Sequence, residues 1–487
     1  MFPTVVSAEI ERALRDYLQT TFRLRDKAFE AALFRFLSDP ATGMFQGPYL
    51  DVRLPYRKAG EGWERTAPLD YAPRFEPYAH QLRAFERLSA RERKPENTLV
   101  TTGTGSGKTE CFLYPVLDHC RGARQRGELG IKAIILYPMN ALASDQAERL
   151  AKLLTDDALS EVSAGLYVGG KGQHKRPGPR HLIDDRDVLR KDPPDILLTN
   201  YRMLDFLLMR PEDAPLWARN TATTLQYLVL VELHTYDGAQ GSVVACLIPR
   251  LKARLDVPPG HLCGVGTSAT IGSGGAADPR QLLAAFATKI FAEPFSVGCL
   301  IEDDRLTQEQ AFTTFNVEAQ APYALTEEEW QKLEPGSYAS DELYAVGQTG
   351  LWFKQSKPPG RSRLGMDLGA HPFMTKLLRA LAGKERRSGP RHVLEVIAAI
   401  GEEEEAFRVL PRERQLLVLS SFMTLIAHAR TTENASTLRP FLHVQVQLWL
   451  REVHGLLRRV GGSEPRFAWH DDLKPEPGEH WLPMVFC

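Results

Sequence analysis

Residues 101–109, Thr-Thr-Gly-Thr-Gly-Ser-Gly-Lys-Thr, set three glycines ahead of a lysine and a hydroxyl. Leu99-Val100 reads as the end of a buried strand and Glu110-Cys111-Phe112-Leu113 as the opening of a helix. That strand–loop–helix setting is what a phosphate-binding loop requires. Gly103, Gly105 and Gly107 allow a tight turn whose N–H groups face phosphate oxygens, and the following helix adds the positive end of its dipole. Lys108 is expected to reach the β- and γ-phosphates and Thr109 to set its hydroxyl on Mg²⁺. Thr104, Gly105, Ser106, Gly107, Lys108 and Thr109 are thus the expected nucleotide contacts, with Thr109 the metal ligand. Thr102 stands where the strict pattern has Gly. The bland alternative is a glycine-rich turn before a helix, but strand, glycines and helix agree on nucleotide binding.

The elements that must position this loop follow it in a regular series. The apolar run Lys132–Leu136 ends at Tyr137-Pro138-Met139-Asn140-Ala141-Leu142, and Asp195–Leu198 ends at Thr199-Asn200. Leu228–Leu230 ends at Val231-Glu232-Leu233-His234, and Cys263–Gly266 at Thr267-Ser268-Ala269-Thr270. Short β-type runs closed by polar residues, with helical pattern between them, predict an α/β fold: a parallel sheet covered by helices on both faces. The polar ends then gather at the carboxyl edge of the strands, where such folds bind ligands.

In that order and at those spacings, residues 71 to about 275 resemble the first RecA-like domain of superfamily 2 helicases of the DEAD/DEAH-box (DExH-like) kind. The resemblance implies a P-loop NTPase using ATP and Mg²⁺ on DNA or RNA. It gives Gln81 the role of reading adenine and puts Val231–His234 on the DExH box. There Glu232 would orient and deprotonate the attacking water, with Lys108 and His234 as its catalytic partners. Pro138, Asn140, Gly169, Gly170, Thr199 and Asn200 would face the nucleic-acid backbone, and Ser268 and Thr270 would couple hydrolysis to it. Phe45-Gln46-Gly47-Pro48-Tyr49-Leu50 and the wording of the motifs look closest to the very large bacterial helicases of phage-defence loci. That likeness implies other components of a bacterial defence system as partners.

One position departs from the family. Its box begins with Asp, which holds Mg²⁺ through water; here the residue is Val231, whose isopropyl group has no lone pair. Glu232 remains, and Asp237 lies too far along to substitute without rebuilding the turn. Val231 also extends the buried strand comfortably, so a preserved fold with impaired hydrolysis is expected. Two functions stay open: an ATP-driven helicase or translocase, and a nucleotide- and nucleic-acid-binding module that no longer cycles. A small-molecule kinase or GTPase shares the loop but leaves Gln81, Pro138–Leu142, Thr199-Asn200 and Ser268–Thr270 unexplained.

At 487 residues the chain is long enough for two to four domains. A net charge of −1 excludes a wholly basic surface, so any nucleic-acid contact must be local. The six cysteines form no Cys-x-x-Cys pair, which favours reduced thiols and a cytoplasmic protein. No apolar run approaches 18 residues, so no membrane span is expected.

Three regions are predicted: an accessory region over 1–70, the RecA-like domain over 71–300, and a mainly helical accessory region over 301–487. Residues 8–38 carry helical spacing, and 45–75 are expected to pack on the edge of the nucleotide domain. The Pro/Gly-rich loop 169–194 collects Lys171, His174, Lys175, Arg176, Arg180, His181, Arg186, Arg190 and Lys191, diluted by Asp184, Asp185, Asp187 and Asp192, and is either a phosphate-neutralising track or a solvated surface. Apolar stretches at 393–400, 416–426 and 442–457 are read as helical. With no Gly-Arg-x-Gly-Arg element after residue 275, the chain is expected to be the N-terminal portion of a longer protein. By resemblance Cys487 would be the first ligand of a cysteine-rich zinc insertion.

Overall fold

A computed structural model describes residues 3–484 apart from 22, 40–41, 104, 171, 269–277, 313–318, 354–358, 383–389, 435–436 and 463. The chain divides into two units, residues 56–305 and residues 1–55 with 306–487. Its strands are β1 (Phe45–Arg53), β2 (Thr98–Thr101), β3 (Ala133–Tyr137), β4 (Ala164–Tyr167), β5 (Ile196–Asn200), β6 (Tyr227–Leu230), β7 (Cys263–Thr267) and β8 (Leu300–Glu302). These are followed by β9 (Arg391–His392), β10 (Arg430–Asn434), β11 (Thr437–Pro440), β12 (His443–Leu450), β13 (Leu456–Val460), β14 (Phe467–Trp469) and β15 (His480–Pro483).

The unit over 56–305 is the predicted α/β fold. Seven strands run in the order β4-β5-β3-β6-β7-β2-β8, every pair parallel. The strands read as near-continuous apolar runs because both faces are covered. Ala133, Ile135 and Tyr137 pack with Phe112, Val116, Ala143 and Leu150 of helices Lys108–Gln125 and Asn140–Leu153. Ile134 and Leu136 turn to the other face, against Val244, Leu247 and Leu251 of helix Gly238–Arg254 and Phe291 of helix Pro279–Phe291. Each such fully buried Leu or Ile contributes about 1.5–3 kcal/mol.

At the amino end of β3 and β5 the sheet is tied by buried charge. Lys132 Nζ lies 2.6 Å from Asp195 Oδ1, both side chains having no exposure. Arg124 Nε donates to the same carboxylate at 2.8 Å, and Ser163 N and Oγ donate to it at 2.8 and 3.0 Å.

The other unit is helical at its centre and β at its margins. Helices Arg361–Ala370, Pro372–Ala382, Val393–Glu403 and Arg412–His428 surround Trp352, whose indole N–H donates to Ser421 Oγ at 2.9 Å. The expected N-terminal helices are Pro3–Thr21 and Lys27–Leu37, the second capped by Asp26. Two segments depart from the sequence reading. The stretch 442–457 is not the expected helix: His443–Leu450 is strand, because His443-Val444-Gln445-Val446-Gln447-Leu448 alternates with period two, and a short 3-10 turn at Val453–Gly455 leads into β13. Residues 45–75 do not act together: Phe45–Arg53 pairs antiparallel with His443–Leu450, nearly 400 residues away, and from Tyr56 onward the segment belongs with the parallel sheet.

Candidate nucleotide and nucleic-acid site

The phosphate loop leaves β2 and enters helix Lys108–Gln125 through left-handed glycines, Gly105 at φ +78° and Gly107 at φ +75°. The positive φ favours glycine at 107, and a β-carbon there would also fall 2.2 Å from Gln81 Nε2 and displace that amide. Thr102, in place of the usual glycine, is buried, and its Oγ1 lies 2.6 Å from Ser106 Oγ across the loop. Gln81 is held at both ends. Its carbonyl accepts the Tyr78 N–H at 2.8 Å and its amide donates to Gly107 O at 3.2 Å. Its neighbour His80, which sequence reasoning passed over, is fully buried and bonds Ser106 O at 2.9 Å through Nε2. A carbonyl only accepts, so Nε2 carries the proton, and burial holds this imidazole below the usual histidine range.

The carboxyl ends of β6 and β7 close the other side. Val231 follows β6, half-buried, with its N–H on Leu136 O at 3.0 Å. The chain then turns at Glu232, whose φ of +55° is rare for a residue with a β-carbon and costs of order 1–2 kcal/mol. Thr235 Oγ1 donates to Glu232 O at 2.8 Å and Glu232 N to Thr267 Oγ1 at 3.2 Å, which fixes the turn. The turn brings Glu232 Oε1 to 3.9 Å from Lys108 Nζ. His234 Nδ1 lies 3.5 Å from Glu232 Oε2 and 3.2 Å from Ser268 Oγ. Thr109 Oγ1 is 3.5 Å from Gln146 Oε1. Lys108, Thr109, Gln81, Glu232, His234 and Ser268 thus share one edge of the sheet; Thr104 and Thr270 lie outside the described residues.

Burial pushes the Cys111 thiol up, away from nucleophilic use, so the chemistry of this edge rests on the lysine and the carboxylate.

A second cluster occupies the same edge at β3, β4 and β5. Asn200 Nδ2 donates to Asn140 Oδ1 at 2.6 Å, and Thr199 Oγ1 to Tyr167 O at 2.6 Å. A β-carbon on Gly169 would sit 3.5 Å from Asn140 Nδ2, which puts the glycine pair beside these amides. Pro138, between Tyr137 and the exposed Met139, completes the rim. The basic residues of loop 169–194 split into two kinds. Arg186 donates to Val168 O and Gly170 O, Arg190 to Asp213, and Arg180 to Glu148. These three arginines build the loop, whereas Lys175 and Arg176 are exposed. Lys171 and Cys487 lie outside the described residues.

A family model for the DEAD/DEAH box helicase matches residues 78–276. These residues are a DEAD/DEAH box helicase domain, of superfamily 2. Among individual proteins, the Druantia protein DruE of Escherichia coli (strain UMEA 4076-1) is 26% identical over 370 residues, covering 53% of this chain and 20% of that protein. The uncharacterized ATP-dependent helicase YprA of Bacillus subtilis (strain 168) is 31% identical over 207 residues, 42% of this chain and 24% of YprA. A solved structure of the DUF1998 helicase MrfA bound to DNA and AMPPNP is 24% identical and covers 57% of this chain and 34% of that one, with a TM-score of 0.37. The chain therefore spans about a fifth to a quarter of the length of these two curated relatives. Among the described residues no helix is long and apolar enough to cross a membrane.

Proposed function

We propose that residues 56–305 bind ATP with Mg²⁺ and grip a DNA or RNA backbone, as the nucleotide-binding half of a superfamily 2 translocase. The observation that carries this reading is the approach of Lys108 and Glu232 to 3.9 Å beside a loop whose last glycine carries Gln81. The residues fit the ligand: loop amides and Lys108 for the phosphates, Gln81 for the base, the Thr109 hydroxyl for the metal. Bound Mg²⁺-ATP supplies the phosphoryl group and the charge that stabilises its transfer. On the protein side, Lys108 holds the phosphates, Glu232 takes a proton from water at Oε1 or Oε2, and His234 with Ser268 ties that turn to β7. The Gln81 amide has a second hydrogen, beyond the one it gives Gly107 O, with which to meet a base.

Val231 favours a second reading in which the domain binds both ligands without turning ATP over, since no carboxylate stands at the position that holds the metal through water. The likeness to large helicases of phage-defence loci supports work in the cytoplasm within a bacterial defence system, alongside its other components. Calorimetric titration with Mg²⁺-ATP tests the core of the reading. A heat that Lys108→Ala abolishes is expected, and the same titration curve for both chains would remove Lys108 from the site.

A further inference from the structure

The phosphate loop is held from a direction its own motif does not provide. Beyond β8, Asp303 Oδ1 accepts the Gly103 N–H at 2.9 Å. The other oxygen, Oδ2, takes a hydrogen bond from Arg305 Nε at 3.0 Å and lies 2.9 Å from Arg305 Nη2 in an ion pair. The Arg305 guanidinium lies 3.8 Å from the centre of the Tyr56 ring, and residues 56 and 305 are bridged antiparallel. Tyr56 packs on His80 with ring centres 5.2 Å apart, and His80 Nε2 bonds Ser106 O. Both ends of the loop, Gly103 N–H and Ser106 C=O, are thereby gripped by one run of contacts.

We propose that Asp303 and Arg305 are positioning residues that hold the phosphate loop ready for nucleotide, and that Arg305 masks the Asp303 carboxylate from the incoming polyphosphate. The inference rests on the ATP-binding reading above. A loop with two left-handed glycines has many open forms, and fixing both its ends removes most of them before the ligand arrives. A bare carboxylate on Gly103 N–H would repel phosphate. The paired guanidinium cancels that charge, and the Tyr56 face keeps the guanidinium in place.

The two roles separate by charge. Asp303→Asn keeps an acceptor for Gly103 and removes the charge, so ATP binding should stay within about threefold of the parent, whereas Arg305→Gln exposes the carboxylate and should weaken ATP about tenfold, one charge-assisted contact's worth. The pair Asp303→Asn/Arg305→Gln should recover most of that loss, which a merely structural defect would not allow. AMP, with one phosphate, should distinguish the variants less than ATP does. Independently of nucleotide, Asp303→Ala should speed hydrogen exchange of the amides in residues 101–107, and Asp303→Asn should restore protection.

Arg305→Gln binding ATP like the parent, or a double variant no better than Arg305→Gln, overturns the masking role. Unchanged loop exchange in Asp303→Ala overturns the clamp. If Asp303→Ala does not fold, a comparison of loop exchange in Arg305→Gln with the parent decides the clamp. A parent chain that binds no ATP defeats the nucleotide reading and the masking role with it, while the exchange measurement still decides the clamp.

Discussion

Val231→Asp is the substitution whose consequences the site defines most sharply. Val231 is half-buried at the end of β6 and packs partly against the face that holds Ala133 and Val229. Losing that contact should cost about 1 kcal/mol, roughly half the value of a fully buried valine. A second carboxylate next to Glu232, with Lys108 Nζ 3.9 Å from the first, adds like-charge repulsion in the free protein. Binding reverses that sign. A carboxylate held through water about 5 Å from a divalent ion gains about 1.7 kcal/mol even at the dielectric of water, or about 15- to 20-fold in affinity.

The free protein should therefore melt slightly lower with Asp at 231, and the rise in melting temperature on adding Mg²⁺-ATP should be larger. The decisive quantity is the ratio of ATP affinities with Mg²⁺ and with EDTA. We expect a small ratio for the parent and one larger by about tenfold or more for Val231→Asp, by the same Coulomb estimate. In a protein that also supplies a second RecA-like domain, hydrolysis should rise about two orders of magnitude, equivalent to about 3 kcal/mol. Equal Mg²⁺ dependence in both chains, or robust hydrolysis with Val231, would mean another group holds the metal.

Lys175→Ala/Arg176→Ala should lower the salt slope of single-strand binding by roughly two units, one per phosphate contact, and an unchanged slope in fluorescence anisotropy returns the loop to a solvated surface. Lys132→Ala removes one of two cations on the buried Asp195, which Arg124 and Ser163 still hold, and should cost about 1.5–3 kcal/mol in urea unfolding, whereas a loss under about 0.5 kcal/mol would mean the pair is not dry. His371 accepts the Phe373 N–H at Nδ1, and burial pushes it down to about 4. Its folded value lies below its unfolded value of about 6.5, so its contribution is complete above about pH 6.5 and falls through the window down to about 4. His371→Gln should flatten that acid limb in chemical denaturation, and an unchanged limb would assign it to other groups.

The parallel sheet was legible because each strand is short, apolar and closed by a polar turn, and because parallel strands buried on both faces need no pairing partner to be recognised. The gathering of the candidate site residues was legible for a related reason: Lys108, Asn140, Thr199, Glu232 and Ser268 all sit at or just past the end of a strand of one sheet. What escaped was non-local. Nothing near Phe45–Arg53 announces a partner at His443–Leu450, and a strand of nine residues with a proline reads as loop until the partner is known. Apolar content alone gives 442–457 a helical reading, whereas the signal for strand is the period-two alternation in His443–Leu448. Asp303, Arg305, Tyr56 and His80 escaped for the same reason, since over 220 residues separate the first from the last of them. Only the adjacency of His80 to Gln81 could have drawn the eye.

Strand β3 explains why the two clusters need not act separately. It lies between β5, whose end carries Thr199 and Asn200, and β6, whose end carries Val231 and Glu232. Leu136 O receives the Val231 N–H at 3.0 Å and the Tyr236 hydroxyl at 3.3 Å, and two residues later, just past the strand, comes Pro138 on the rim proposed to face nucleic acid. If nucleotide shifts the Glu232 turn, the shift would push on the carbonyl next to Tyr137, and a close-packed sheet transmits such a push instead of absorbing it. His234 on Ser268 gives the turn a second hold, on β7. None of these contacts uses the side chain of residue 231. On the proposed reading, valine there would weaken the metal's place and leave these backbone contacts whole, so impaired turnover and a nucleotide-linked grip would be compatible in one chain. By linkage, whatever ATP does to the grip on nucleic acid, nucleic acid must do equally to the affinity for ATP.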